Sequence, residues 1–180
     1  MPVPVFTTGE VLTAANMNAV GLWLIGSYSN SSTTTLTMDS IFSSTYAHYR
    51  IILTATGGAA ATADTSFQLR VGTTPTATNY SYHTIFSSNL AGPSRAYAAT
   101  QTSGQLGNFG SARSTIIVDI MNPNVAASTN WLSSWQGWGS TANYVGTTQG
   151  LQDSTNQFTG IAITNANAFT ATARVYGYRN

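Results

Sequence analysis

The side chains that could do acid–base or metal chemistry are few and widely spaced in this sequence. It has two histidines, His48 and His83, and no cysteine. Its carboxylates are Glu10, Asp39, Asp64, Asp119 and Asp153. Acid–base catalysis and glycoside hydrolysis need paired groups, and metal sites need clustered His, Cys, Asp or Glu. Unless distant residues converge in the fold, we expect no enzyme, no catalytic residue, no metal site and no cofactor.

A cluster of aromatic residues is the other candidate for chemistry. Trp131, Trp135, Trp138 and Tyr144 are close in sequence, and on one strand Trp131 and Trp135 share a face. Trp138 then lies on the opposite face, unless Gly137 makes a bulge. One interpretation is a platform of Trp135, Trp138 and Tyr144 that stacks on sugar rings. The other, which we favour, is that these rings fill the core or a subunit interface.

The amino-acid composition limits the classes of protein to which this chain can belong. Charged residues make up 6% of the 180 residues, against about 25% in an ordinary soluble domain. The 42% hydrophobic content is too high for disorder, and six scattered arginines with no lysine do not form a nucleic-acid-binding stripe. No apolar run approaches the ~20 residues of a membrane span, and the start lacks the basic and apolar regions of a secretory signal. Low charge instead favours surfaces that are buried between subunits.

Apolar residues alternate with Ser, Thr and other polar residues at period two after residue 21. The alternation is clearest at 33–38, 49–56, 66–71, 115–121 and 169–176. Further candidate strands lie at 22–29, 79–86, 130–138, 143–149 and 158–164. Together they predict an all-β fold, an antiparallel sandwich of the jelly-roll-like kind. Residues 87–113 are long for a connection, so they contain either a functional loop or a strand that alternation does not reveal.

The first residues predict a separate docking segment. Pro2 and Pro4 favour an extended start, and Thr13 and Gly21 suit the two caps of one short helix. A helix of two turns is not stable alone in water, so it must dock on something. We therefore divide the chain into a docking segment, 1–21, and a single β domain, 22–180. The apolar side chains expected to make the docking contact are Phe6, Leu12, Met17 and Val20.

Two stretches resemble proteins of tailed bacteriophages. Residues 6–18 read Phe-Thr-Thr-Gly-Glu-Val-Leu-Thr-Ala-Ala-Asn-Met-Asn. This run resembles the pattern Phe-Thr-x-Gly-x-Val-Leu-Thr-Ala-x-x-Met/Val-Asn at the start of many phage tail and fibre proteins. Residues 159–164 and 173–179 resemble the closing hairpin of small jelly-roll domains in phage fibre and decoration proteins. The resemblance implies an oligomeric structural protein, commonly a trimer, with its N-terminal segment near the attachment end.

The expected function is therefore that of a virion structural protein, located in the tail or a fibre and anchored by residues 1–21. Two alternatives stay open: a capsid decoration (cement) protein of the same fold, and a carbohydrate-binding module at a fibre tip. An enzyme such as a polysaccharide depolymerase is disfavoured by the absence of rung repeats. Expected partners are further copies of the chain as a homotrimer, other virion proteins and a host-surface glycan, with no nucleic acid and no membrane insertion.

Overall fold

The computed structural model describes residues 21–57 and 63–178, which form eleven β-strands and no helix. The strands are β1 (Leu22–Met38), β2 (His48–Gly57), β3 (Ala63–Val71), β4 (Thr74–Pro75), β5 (Tyr80–Ser88), β6 (Ser94–Gln101), β7 (Gly104–Phe109), β8 (Ser114–Met121), β9 (Thr129–Trp138), β10 (Asn143–Gln152) and β11 (Gly160–Tyr178). Every strand pair is antiparallel, so the predicted all-β antiparallel class is confirmed. The predicted short helix and the docking side chains Phe6, Leu12, Met17 and Val20 lie outside the described residues.

The two longest strands, β1 and β11, connect two layers of a sandwich. They pair with each other along their length, while β2 adds to the C-terminal half of β11 and β3 adds to its N-terminal half. The large layer runs β1–β11–β2–β8–β9–β10–β5–β6, and the small layer runs β1–β11–β3–β7 with β4 beside β3. The register of β1 shifts after Asn30, whose Oδ1 accepts a hydrogen bond from the Ala171 amide at 2.7 Å. This jelly-roll-like sandwich is therefore one curled sheet.

The core lies between the two layers and follows the predicted alternation. In β2 and β8, Ile51, Leu53, Ile116 and Val118 are fully buried, and the residues between them face outward. The small layer contacts the large one where β7 lies over β9, and there the Ser133 hydroxyl donates to the Leu106 carbonyl at 2.6 Å. Burial of these alternating apolar faces is the main force that holds the two layers together.

The structure also extends the predicted strand list. The candidates 22–29 and 33–38 belong to one strand, β1, and the candidates 158–164 and 169–176 belong to β11. The long stretch 87–113 contains β6 and β7. Alternation does not reveal these two strands, because β6 is exposed along most of its length and β7 is almost entirely buried.

Candidate interaction surface

The outward side of the large layer is a broad surface, which we call the outer face. Register pairs align its side chains in rows that cross the strands. The row through the middle of β8 consists of Ser27, Arg174, Ile52, Ile117, Ser134, Thr147, Ile85 and Arg95. The next row consists of Leu24, Tyr176, Arg50, Asp119, Leu132, Gln149, His83 and Tyr97. The residues of each row are far apart in the sequence, and the pairing of the strands makes them neighbours.

Exposed apolar side chains concentrate on the outer face. Eight of the eleven exposed large apolar side chains of the described residues lie on it: Leu22, Leu24, Ile85, Tyr97, Ile117, Leu132, Trp138 and Val145. A shallow depression of about 750 Å³ between Ile85, Ile117 and Val145 marks its centre. Exposed apolar residues scattered singly are normal, but the concentration of most of them on one face of the sheet favours an interaction site there.

Charge on the outer face is sparse, and its ion pair lies in the row beside that of Ile117. Arg50 and Asp119 form a two-point ion pair, with Nε to Oδ1 at 2.8 Å and Nη2 to Oδ2 at 2.7 Å. The hydrogen bond to Asp119 raises the pKa of Arg50, so the guanidinium keeps its charge, which the partner carboxylate of the ion pair offsets. Arg174 and Arg95 lie on β11 and β6, towards opposite sides of the layer. Uncharged side chains therefore make up most of the face around one ion pair whose charges offset each other, and depletion of charge is typical of the core of protein–protein interfaces.

The extent of the outer face matches that of a stable interface. Eight strands spaced by ~4.8 Å and four rows spaced by ~6.8 Å cover about 1,000 Å². Each partner in a standard protein–protein interface buries ~800 Å². The face is thus large enough to hold a protein partner without help from the small layer.

The predicted sugar-stacking residues do not come together. Trp135 points into the core and is 4% exposed, with its Nε1 donating to Thr148 Oγ1 at 3.2 Å. Trp138 lies on the outer face and is 46% exposed, whereas Tyr144 is half-buried on the inner side beside Phe86. Trp131 joins Trp135 in the core. The predicted platform is thus replaced by two core indoles and one outward indole, because no bulge interrupts β9.

The two core indoles lie against glycines on both sides. A Cβ on Gly150 or Gly104 would meet Trp131, at 2.3 Å and 2.9 Å. A Cβ on Gly146 or Gly107 would meet Trp135, at 2.6 Å and 2.3 Å. Cross-strand pairing sets Gly146 beside Trp135 and Gly150 beside Trp131. Trp131 and Trp135 have the same spacing in the sequence as Gly146 and Gly150 in the neighbouring strand. This equal spacing indicates the packing from the sequence.

The titratable residues remain dispersed in the described part of the chain. It contains no group of three or more His, Cys, Asp or Glu side chains that could hold a metal ion. Asp39 pairs with Arg70 at 2.6 Å, and His83 lies against the Tyr97 ring with centroids 4.5 Å apart. His48 lies in the outer-face row that also contains Met121. None of these neighbours pairs a general acid with a general base.

Comparison with protein-family models gives no match, and comparison with curated protein sequences gives none. Within the described residues, no helix is long and apolar enough to cross a membrane. Function must therefore be inferred from the geometry of the surface and from the residues themselves.

One feature of the sequence indicates the outer face. The runs 51–53 and 116–118 are apolar without a break, so Ile52 and Ile117 place apolar side chains on the side away from the core. A strand that is apolar on both sides is typical of a sheet covered on both faces.

Proposed function

We propose that this protein is a structural subunit of a tailed-bacteriophage virion that packs against further copies of itself through the outer face. The observation that carries the proposal is the sparsely charged surface across eight strands of the large layer, on which exposed apolar side chains concentrate. The phage-like pattern at residues 6–18 supports the assignment to a virion. In this proposal residues 1–21 anchor the subunit to another virion protein.

A second copy of the chain is the partner that suits this surface. Its centre consists of Ser, Thr, Val and Ile side chains, which lose little solvation free energy when another such surface covers them. In a trimer, each copy contacts its two neighbours through different parts of this surface, and its sparse charge limits repulsion between them. The resemblance to phage fibre and decoration proteins implies three copies.

Light scattering on the purified full-length chain tests the self-association. We expect a trimer for the natural sequence, and a monomer or a strongly weakened oligomer for Val145→Lys, because a lysine would be buried without a partner. Val125→Lys is the matched control, since Val125 is exposed to a similar degree, 47% against 52%, but lies off the outer face. A monomeric natural chain, or equal effects of the two substitutions, would overturn the proposed interface.

Labelling of intact particles tests the place in the virion. An antibody against this chain that marks the tail supports a tail or fibre protein, whereas label over the whole head supports a capsid decoration protein. Deletion of residues 1–21 should prevent incorporation while the β domain still folds, as judged by circular dichroism. Incorporation of the shortened chain would contradict the anchoring role.

A carbohydrate-binding module at a fibre tip is the second candidate function. It is favoured by one observation, the exposed indole of Trp138 on the outer face. Exposed aromatic rings bind the apolar faces of sugars, but an indole at a protein interface has the same appearance. Host-cell adsorption by a Trp138→Ala particle distinguishes the two roles.

A further inference from the structure

A cleft opens where the large layer extends past the small one. The small layer ends at β7, while the large layer continues through β10 to β5 and β6. The inner sides of β5 and β6 are therefore only partly covered, and a cavity of about 230 Å³ remains between them and β3 and β7. Asp64, Asn108, Tyr82 and Phe86 line it together with buried polar groups. The cleft lies on the inner side of the large layer and is separate from the outer face.

A chain of four hydrogen bonds runs through the core and ends at the Asp64 carboxylate. Trp135 Nε1 donates to Thr148 Oγ1 at 3.2 Å, and the Thr148 and Thr84 hydroxyl oxygens are 3.0 Å apart. Thr84 Oγ1 donates to Gln105 Oε1 at 3.1 Å, and the Gln105 side chain bonds the Asp64 carboxylate.

The direction of every bond in this chain is determined. Gln105 Oε1 only accepts, so the single hydroxyl proton of Thr84 is used there and Thr148 must donate to Thr84. The Asp64 carboxylate also only accepts, so the Gln105 amide nitrogen donates to it. All four donors thus point toward Asp64, and a chain aligned in one direction strengthens each of its bonds.

The first four side chains of the hydrogen-bonded chain are at least nine-tenths buried. Their exposed fractions are 4% for Trp135, 0% for Thr148, 2% for Thr84 and 8% for Gln105. Polar groups in a core are costly unless every partner is in place, and apolar residues would fill the same space more cheaply. Such a chain is what a site needs in order to hold its acceptor in a defined position.

Asp64 is exposed where it lines the cleft, and it has no cationic partner within the described residues. The ion pairs there are Arg50–Asp119 and Arg70–Asp39. Burial raises the pKa of Asp64, and the bond from Gln105 opposes this rise. With its amide oriented by its neighbours, Asn108 donates to Asp64 Oδ1 at 3.0 Å, and Asn165 Nδ2 donates to the Asp64 carbonyl at 3.2 Å.

The walls of the cleft add apolar contacts and a donor. The rings of Tyr82 and Phe86 are half-buried and face the cavity. Burial, and secondarily the charge of Asp64, raise the pKa of Tyr82, so its phenol stays protonated and can donate a hydrogen bond. The cleft therefore combines the Asp64 carboxylate, the Asn108 amide oxygen, the Tyr82 phenol and aromatic surface in one small volume, because both amide hydrogens of Asn108 are used by Asp64 and the Gly107 carbonyl.

We propose that this cleft binds a single pyranose ring of a glycan, with neighbouring hydroxyls at Asp64 and Asn108 and an apolar ring face against Tyr82 or Phe86. Sugar hydroxyls both donate and accept, so they can donate to the Asp64 carboxylate and the Asn108 amide oxygen and accept from the Tyr82 phenol. Drug-sized ligands occupy ~300–1,000 Å³, so a cavity of about 230 Å³ suits a single small ring. One carboxylate is too few for a calcium ion, which takes 6–8 oxygen ligands. This inference goes beyond the proposed virion role and does not depend on self-association.

Titration of the full-length chain with methyl glycosides, followed by protein-detected NMR, tests the site. The probes are the methyl glycosides of glucose, galactose, mannose, rhamnose and N-acetylglucosamine, with tetramethylammonium chloride as the cation probe. We expect at least one glycoside to bind at millimolar concentration and to shift amides of β3, β5 and β7. Asp64→Asn keeps the shape but removes the charge, so it should weaken binding about ten-fold or more.

Asp153→Asn is the matched control, because Asp153 is exposed and its carboxylate accepts from Ser128 Oγ at 2.8 Å, away from the cleft. It should leave binding unchanged. Thr148→Val interrupts the hydrogen-bond chain at a residue that does not line the cavity, and it should weaken binding less than Asp64→Asn does. The proposal is overturned if no glycoside binds, if Asp64→Asn and Asp153→Asn behave alike, or if tetramethylammonium binds in place of the sugars. Val145→Lys should still bind the glycoside, which keeps this result distinct from failure of the outer-face interface.

Discussion

The Tyr80 phenol shows how a single buried hydroxyl can make stability depend on pH. Its oxygen accepts from the Leu69 amide at 2.8 Å and donates to the Thr76 carbonyl at 3.1 Å. Burial raises the pKa of Tyr80 to about 12, and the bond from Leu69 opposes that rise. The folded state therefore holds the phenolic proton more tightly than the unfolded chain, in which the pKa is about 10.

We expect the free energy of unfolding to fall as pH rises from about 10 to about 12, because there the unfolded chain has released a proton that the folded chain keeps. The two-unit difference corresponds to roughly 2–3 kcal/mol for this residue. Urea unfolding at pH 8, 10 and 11 measures it. Tyr80→Phe should be less stable than the natural chain at pH 8, since the Leu69 amide loses its acceptor, but should show a shallower alkaline decline. An equally steep decline would show that other groups cause it.

Trp135 and Trp138 should respond oppositely to removal of the indole. Trp135→Ala should lower the free energy of unfolding by about 3–5 kcal/mol, because the ring is enclosed in the core and its loss leaves a cavity. Trp138→Ala should lower it by less than about 1 kcal/mol, since the ring is on the surface. Thermal unfolding measures both. A large loss in Trp138→Ala would mean that this ring is structural, and normal host adsorption of such particles would count against the fibre-tip role.

At the scale of elements, β7 must approach β9 closely enough for the Trp135 ring to lie on bare backbone. Gly107 has a φ of 148° and no room for a side chain, because a Cβ there would lie 2.3 Å from Trp135 Cγ. The register of β3 with β7 shifts at this point, between Thr65 and Ser66. A glycine at this position is therefore needed both for backbone conformation and for interlayer distance.

Gly107→Ala should destabilise the fold by at least about 2 kcal/mol through overpacking and backbone strain. In a chain of this length that lowers the melting temperature by roughly 4–8 °C. Gly92→Ala is the control, because no atom lies within 4 Å of a Cβ at that site. Its melting temperature should stay near that of the natural chain. Equal effects of the two substitutions would show that the Gly107–Trp135 contact does not limit the fold.

The large layer has two outer strands that differ in length. β6 carries Arg95 and starts directly after Pro93, features that discourage pairing with another chain. β1 is 17 residues long, and its register shifts at three points, between Leu24 and Gly26 and on both sides of Thr33. Irregularities of this kind interrupt the ladder of backbone groups that a stray strand would need. Within the described residues, the outer face is thus better suited to ordered association than either edge.

At the scale of the whole molecule, the sparse charge predicts how assembly responds to salt. The proposed interface is sparsely charged, and the charges of the Arg50–Asp119 pair near its centre offset each other. We therefore expect the oligomer to keep its mass by light scattering between about 0.05 M and 0.5 M sodium chloride, a range over which exposed charges become strongly screened. Dissociation at the higher concentration would indicate that charge, and not apolar contact, holds the subunits together.

The sequence by itself determined the class of fold and, where apolar and polar residues alternate, the side of the strand that faces the core. Alternation at residues 49–56 and 115–121 identifies buried and outward positions, because side chains in a strand point to opposite faces at period two. It also separated Trp138 from Trp131 and Trp135, for the same reason. The docking segment and its phage-like pattern remain predictions from sequence.

Only the tertiary structure decided which strands are neighbours. β11 takes β1 on one side and both β2 and β3 on the other, and no local pattern contains that information, because long-range register depends on the packing of the whole sandwich. The outer face and the cleft at Asp64 both result from this pairing. Asp64 and Gln105 are far apart in sequence and appear unremarkable there, yet the folded sheet makes them the end of one hydrogen-bonded chain.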